Sequence, residues 1–477
     1  MSKMKNLIKN ELFKLNRRTE TKVLLLFALI AVVVMNLMGY FLDNGNEKLY
    51  QREIKSMIEA DEEMKRYAET VEDKIYYYSD YDMNVLKQKY PMYSAETGYI
   101  TGTLEELSYE MYEAYFILGE TSEDYLEAKE KYEEALKKLE HFDWQKDIRE
   151  EMKANQQIID IFEDTPDIGE ATRADLEYYK EVNRVLNYRI ENNIPVDGSN
   201  ASNAIDNYLS NLDVYRNMDK NPTSHEGKVW LMETEESLAV TKYKLDNGLI
   251  QEDKNNNSYG TISEQMVSVM KGEGFLIGFV AVFIAAMIIP MEFDKGTIKQ
   301  LLVKPYTRTE ILTAKILATI IYFIEFVAIY LVMNSVVLGF FVGFSTISAP
   351  IVVYNFNTKV ATQVHLVPYL LKCFLLCLPK FLVIIFVVNL FAIITKSTVS
   401  SMYIGLVLSS LDLSGFQKPF ARFVVSNCWD FNIFANGRIA QNQYVTLPSS
   451  ILVVVVTAVI ALLLSNVLFK RKEIKNQ

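Results

Sequence analysis

The chain has 477 residues and a mass of 54.9 kDa, and 50% of its residues are hydrophobic while 23% are charged. A mean hydropathy of +0.06 is too apolar for an ordinary acidic soluble protein, and the charged fraction is too high for a protein that lies wholly in a membrane. The net charge of -11 argues against a nucleic-acid partner.

The charge is divided unevenly along the chain. Residues 44–274 carry 26 Lys and Arg against 50 Asp and Glu, a net charge of -24, which leaves +13 on the remainder. The sequence therefore predicts an acidic insert within a basic, apolar frame. The three cysteines, none of which lies in the insert, argue against a disulfide framework: Cys373, Cys377 and Cys428.

The frame begins with a basic segment and an apolar run. Residues 1–22 predict a cytoplasmic interfacial helix, because their apolar residues share one helical face: Met4, Leu7, Ile8, Leu12 and Leu15. Residues 23–42 contain no charge and are long enough to cross a bilayer as the first transmembrane helix. A cleaved signal peptide is the alternative, and the length of the run disfavours it.

Later apolar stretches predict five more spans, at residues 274–291, 316–343, 367–395, 398–413 and 449–469. The stretch 398–413 is short for a full crossing, so residues 414–446 are interpreted as partly re-entrant. Bases before the first span, between the second and third spans, and in the tail 470–477 place both termini in the cytoplasm. The fold class is therefore mainly α: a six-helix transmembrane bundle with a large helical extracellular domain, residues 43–273, between the first two spans.

The insert has the pattern of packed helices. Apolar residues recur at steps of three and four from Ile54 to Tyr78, with Asp61 as the one polar position, and again from Tyr125 to Phe142. We therefore expect a coiled-coil-like domain that grows from the first span as a stalk. Its acidic, tyrosine-rich surface suits a cationic partner, although the same tyrosines also serve to form the helix seams.

Motifs for catalysis and metal binding are weak. The sequence has no phosphate-binding loop, no nucleophile motif and no ligand-spaced histidines, so we expect neither an enzyme nor a resident cofactor. Four residues fall at positions 1, 3, 5 and 12 of an EF-hand calcium loop: Asp253, Asn255, Asn257 and Glu264. Because Ser258 replaces the required glycine, an Asn-rich hinge is the preferred interpretation.

Two charges lie inside predicted spans. Glu325 and Lys380 each stand about thirteen residues into an apolar stretch, near the middle of the membrane. Since a lone charge there is costly, we expect the two to face each other or a polar cavity. The pair would then either line a substrate pathway or simply pin two helices together.

The cytoplasmic loop 292–315 has the most specific pattern in the chain. Thr297 can cap a short helix with Leu301 on its apolar face, Pro305 ends that helix, and Thr307 or Thr309 can start the next one. A loop of this kind can serve as a mere connector or as a docking element.

The order of residues in this loop resembles the permease subunits of ABC-2 type exporters. The matching residues are Glu292, Gly296, Thr297, Leu301, Pro305, Arg308 and Lys315. The likeness covers about residues 1–43 and 275–477, and it includes the interfacial helix, the number of spans and the basic tail. The large insert departs from the simplest members of that family.

The resemblance implies a permease that dimerises with a second copy or a paralogue and docks, through the loop, onto a separate ABC ATPase that binds ATP and Mg²⁺. It implies a cell-membrane protein of a Gram-positive bacterium that exports, or confers resistance to, an extracellular peptide or other amphipathic substrate, with residues 414–446 as an extracellular gate segment. The alternative is a non-transporting receptor or secretion accessory protein that resembles the phage infection protein family.

Overall fold

The structure is a computed structural model of a mainly helical chain, and it describes residues 2–89, 95–140, 143–165, 169–196, 200–250, 261–273, 275–294, 306–410 and 418–471. It divides into two compact units. Unit 1 comprises Met1–Leu37, Asp219–Val240 and Gly260–Gln477, and unit 2 comprises Met38–Met218 and Thr241–Tyr259. Residues 219–240, which the sequence assigned to the insert, therefore belong to the unit that contains the apolar helices.

The first two helices differ from the predicted boundaries. Helix α1 (Ser2–Arg17) packs its predicted apolar face into the core of unit 1, with Leu7 and Leu15 buried. It ends at Arg17 rather than residue 22, and α2 (Thr19–Tyr67) follows as a single helix of 49 residues. The Thr21 hydroxyl lies within hydrogen-bond distance of the carbonyls of Leu15 and Arg18, at the junction where α1 ends and α2 begins.

Unit 2 is built from the second part of α2 and from helices that follow it. These are α3 (Val71–Lys89), α4 (Ala95–Leu118), α5 (Glu123–Glu140), α6 (Trp144–Glu163), α7 (Glu170–Glu191) and α8 (Asn200–Asn217), with the last residues of α9 (His225–Asp246). One apolar cluster joins α3, α4 and α5, and it contains the predicted seam residues Tyr132, Ala135 and Leu139. A second cluster joins α6 and α7 through Ile148, Val182 and Leu186.

The predicted seam from Ile54 to Tyr78 is not one continuous helix. The chain leaves α2 after Tyr67, because Thr70 accepts a hydrogen bond from the backbone N–H of Asp73 and thereby caps a new helix. Asp61, the polar position of the seam, is buried and accepts a hydrogen bond of 2.8 Å from the Asn84 amide. The buried Asp61 carboxylate therefore has a hydrogen-bond partner on the next helix, as buried polar groups usually do.

The helical segment at the second predicted span, residues 274–291, begins earlier than predicted and is bent. It is preceded by α10 (Ile262–Ser268) and a π-helical turn (Val269–Glu273), both of which the sequence assigned to the extracellular domain, and it consists of α11 (Phe275–Ile288) and the short α12 (Pro290–Asp294). The two parts of this bent pair are inclined by 44°. A π turn locally misaligns the backbone ladder, which is a common cause of such a bend.

The remaining apolar helices are α13 (Arg308–Val342), α14 (Leu366–Thr395), α15 (Thr398–Ser410) and, after the short α16 (Val425–Cys428), α17 (Leu447–Arg471). Among the described residues, four helices are long and apolar enough to cross a membrane, and the bent pair would make a fifth. Helix α15 has only 13 residues, so the predicted six-span bundle is supported only in part.

A short connection and a close packing contact fix the position of α15. Only Lys396 and Ser397 separate it from α14, and Lys396 closes the end of α14 in the left-handed conformation with φ of 53°. Gly405 lies so close to its neighbours that an added Cβ would stand 2.6 Å from side-chain atoms of Val282 and Val388. The absence of a side chain therefore allows α15 to pack between α11 and α14.

A β-hairpin joins α13 to α14. Strands β1 (Ile351–Asn355) and β2 (Val360–Val364) pair antiparallel, with Ile351 opposite Val364. Beside it, residues 418–446 form two short 3₁₀ helices, Pro419–Phe423 and Phe431–Gly437, on either side of α16.

Candidate functional site

Five charged side chains meet where α1 packs against α12 and α13. The Lys315 ammonium lies 2.7 Å from Glu11 and 3.3 Å from Glu292. Lys14 lies 2.9 Å from Glu11 and 3.3 Å from Glu292, and an Arg18 guanidinium nitrogen lies 3.2 Å from the same Glu292 oxygen. Three cations thus converge on Glu292, and we call these five residues the ion cluster.

The ion cluster is removed from solvent. Glu292 and Lys315 are each 1% exposed and Glu11 is 2% exposed, whereas Lys14 and Arg18 reach it from the edge. A single buried charge would be strongly unfavourable, and pairing with hydrogen-bonded partners is what makes such burial tolerable. The cluster therefore fixes the relative positions of the three helices that contribute to it.

The local sequence explains how each residue arrives there. Glu11 lies on the same face of α1 as the buried Leu7 and Leu15, which places its carboxylate against the core. Glu292 follows Pro290, the first residue of α12. Lys315 lies in the second turn of α13, whose start is fixed by a capping box between Thr307 and Glu310.

The structure locates only some of the predicted loop residues. It brings Glu292 and Lys315 together, although they are 23 positions apart in sequence. Arg308 lies elsewhere and donates to the backbone carbonyl of Lys470 at 2.8 Å. The other four predicted residues lie outside the described residues: Gly296, Thr297, Leu301 and Pro305.

Sequence reasoning missed three members of the ion cluster: Glu11, Lys14 and Arg18. The available signal was an acidic residue, Glu11, placed on the apolar face of an otherwise basic helix. A carboxylate in that position is tolerated only when it pairs with a cation. The candidate cations were the bases of α1 itself and those of the loop that follows the second span.

Glu325 and Lys380 lie in different surroundings. Phe323 of α13 packs against Phe381 of α14, with ring centroids 5.0 Å apart. Glu325 is two residues beyond Phe323, about 200° around the helix, and its side chain is exposed in the single chain. Lys380 is half-buried and lies 6.0 Å from the Trp429 ring centroid.

The weak calcium pattern falls largely outside the described residues, which exclude Asp253, Asn255 and Asn257. Glu264 is described, and its carboxylate accepts a hydrogen bond of 3.1 Å from the backbone N–H of Thr261. Glu264 therefore completes the capping box that starts α10. Within the described ranges, no three His, Cys, Asp or Glu side chains are grouped to hold a metal ion.

The long apolar helices define a polytopic membrane protein. Its buried ion cluster lies near the first residues of α13. The family model described as "ABC-2 family transporter protein" matches residues 6–424, and the chain belongs to that family. No curated protein and no solved structure matches the chain. The ABC-2 family consists of membrane transport components, and it implies an ABC ATPase as partner.

Proposed function

We propose that the chain is the permease subunit of an ATP-driven ABC-2 exporter for a peptide or other amphipathic substrate. ATP and Mg²⁺ bind to the separate ATPase, and a second permease copy or a paralogue completes the membrane part. Both termini and the loop 292–315 face the cytoplasm, and unit 2 lies outside the cell. The family membership supports the transport class, and the charge distribution supports the orientation.

The observation that carries the proposal is the convergence of three cations on Glu292. Glu292 begins the loop 292–315 and Lys315 ends it, so both ends of the loop are held in one buried cluster together with α1. Breaking a buried pair by removing one partner costs about 3–5 kcal/mol, because the remaining charge stays buried without compensation. A force that the ATPase applies to the loop is therefore transmitted to α1 and α13 rather than absorbed locally.

The test is reconstitution with the ATPase. Affinity purification of the chain from its native membrane should recover an ABC ATPase in stoichiometric amount, and the permease should stimulate ATP hydrolysis by that subunit. Lys315→Met should remove most of the stimulation while the complex still forms. The matched control is Lys9→Met, which removes an exposed base of α1 outside the ion cluster and should leave stimulation unchanged.

The receptor alternative makes the opposite prediction. If no ATPase accompanies the purified chain, and Lys315→Met and Lys9→Met behave alike, the exporter proposal is wrong. The helical insert would then act as a surface receptor or secretion accessory on an ABC-2 base.

A further inference from the structure

Glu325 lies at the centre of an apolar helix without a partner for its charge. It is the middle residue of the 35-residue helix α13. It stands about 15 Å along the axis from Lys315 of the ion cluster, which is half the hydrocarbon thickness of roughly 30 Å. With the ion cluster at the cytoplasmic boundary, Glu325 is therefore near the bilayer midplane. No hydrogen bond or ion pair joins its exposed carboxylate to another residue that the structure describes.

The surface around Glu325 is apolar. Four aliphatic side chains project within about 40° of it around the helix, and each is between 36% and 64% exposed: Ile321, Ile329, Val332 and Val336. We call these four residues and Glu325 the α13 face. Lipid tails suit the aliphatic side chains, but they offer neither a counter-charge nor a hydrogen-bond donor to a carboxylate.

The lysines of α13 and α14 are engaged elsewhere. Lys315 contacts Glu11 and Glu292, Lys372 donates to the Asn436 amide oxygen at 2.6 Å, and Lys380 lies 6.0 Å from the Trp429 ring centroid. An ionisable side chain at mid-depth is costly unless a partner of opposite charge or a polar group contacts it. Charge complementarity therefore requires a cation from another chain.

A second copy of this chain does not meet that requirement. A two-fold axis along the α13 face would place the same surface on both sides of the contact, so that one Glu325 carboxylate would meet the other. Two carboxylates at close range repel each other unless a proton neutralises one of them. A different membrane chain is complementary in both respects if its helix is apolar and carries one base at mid-depth.

We infer that the α13 face is the docking surface for a transmembrane helix of a different subunit, whose lysine or arginine near the bilayer midplane pairs with Glu325. The inference goes beyond the proposed function, because it adds an intramembrane contact that selects a basic partner helix. It requires no ATPase, and it would hold equally for a receptor.

A synthetic helix serves as the probe for this surface. A helix of about 21 leucine and alanine residues with one central lysine is labelled with an energy acceptor. It is reconstituted with the donor-labelled full-length chain in phosphatidylcholine vesicles, where energy transfer reports association. The lysine helix should associate about tenfold more tightly than the same helix with a central leucine, since polar contacts between transmembrane helices have effects of this size.

Variants of the chain test whether Glu325 is responsible. Glu325→Gln should abolish the preference for the lysine helix. The matched control is Glu123→Gln, which removes an exposed carboxylate of unit 2 and should keep the preference. Glu325→Lys should reverse the preference towards a helix with a central glutamate, which a purely structural role of Glu325 would not cause. If Glu325→Lys does not insert, Glu325→Gln decides the test.

Dicyclohexylcarbodiimide gives a second measurement on Glu325 itself. This apolar reagent enters the bilayer and adds to the neutral carboxyl group, the form that hydrocarbon favours, and the adduct rearranges to a stable N-acylurea. Mass spectrometry of the full-length chain in vesicles should therefore find the adduct on Glu325. The lysine helix should protect Glu325 from the reagent, and the leucine helix should not.

Three outcomes would overturn the inference. Equal association of the lysine and leucine helices with the parent chain would do so, as would equal reactivity of Glu325 with either helix present. The third is a rapid disulfide between two copies of a chain with its three cysteines replaced by serine and Ile329→Cys added, which would assign the α13 face to a second copy. None of these results depends on ATPase stimulation, so the exporter proposal stands or fails separately.

Discussion

Lys315 is a fully buried lysine that contacts two carboxylates, and its loss should be costly. Lys315→Met is expected to lower the free energy of unfolding by about 3–5 kcal/mol, because it leaves Glu11 buried with only one remaining cation. Unfolding of the purified chain in mixed micelles measures this change. Adding Glu11→Gln should cost less in the Lys315→Met background than in the parent, and strict additivity of the two changes would refute the coupling.

Glu181 in unit 2 makes stability depend on pH. Burial raises the pKa of Glu181, but hydrogen bonds from Arg184, Tyr208 and Lys242 outweigh it and lower the pKa from 4.5 to about 2. A depressed folded-state pKa gives stability that is complete above pH 4.5 and is lost as the pH falls towards 2. We expect a loss of about 1–3 kcal/mol across that window.

The pH effect can be followed through Trp144, which packs against the α6–α7 cluster, in a Trp230→Phe, Trp429→Phe chain. Glu181→Gln should remove most of the acid-dependent loss. Glu177→Gln, at an exposed position of the same helix, should retain it. Equal acid sensitivity in both variants would show that other carboxylates dominate.

Gly405 controls how closely α15 packs. Gly405→Ala should destabilise the chain by about 1–3 kcal/mol, because its Cβ would stand 2.6 Å from Val282 and Val388. Gly278→Ala on α11 is the control, since a Cβ there meets no atom within 4 Å. It should be neutral or slightly stabilising in a helix. Thermal unfolding in detergent compares the two, and a neutral Gly405→Ala would mean that α15 can shift.

The elements that periodicity predicted are those with a single buried face. The α1 face and the α5 seam follow directly from spacing, since residues three and four apart share one side of a helix. The break between α2 and α3 was missed because the seam continues in register across it, while the Thr70 cap decides the structure locally. The hairpin Ile351–Val364 was missed because its strands have only five residues each.

The candidate site is formed by contacts between residues far apart in sequence, which the spacing of residues within one helix does not predict. Glu292 and Lys315 were predictable as members of one loop, but Glu11 contacts Lys315 across 304 positions of sequence. Such a pairing is fixed by the packing of α1 on α13, which spacing within either helix does not specify. Asp61 shows the same limit, because its partner Asn84 lies on another helix.

The orientation of the whole molecule is open to a direct labelling test. In a chain with its three cysteines replaced by serine, a cysteine at Glu123 of unit 2 should react with a membrane-impermeant maleimide on intact cells. A cysteine at Lys9 of α1 should react only after permeabilisation. Both positions are exposed in the structure. The proposed topology predicts this contrast from the uneven charge of the chain, and labelling of Lys9→Cys on intact cells would refute it.

Lys396 has an unfavourable backbone conformation and a favourable charge. Its left-handed backbone costs about 1 kcal/mol relative to glycine, which is the usual residue at such a helix end. A lysine there nevertheless favours the negative end of the α14 dipole and adds a base to a short loop between helices. Lys396→Gly should therefore yield a protein that is more resistant to heat but inserts into the membrane with a less uniform topology.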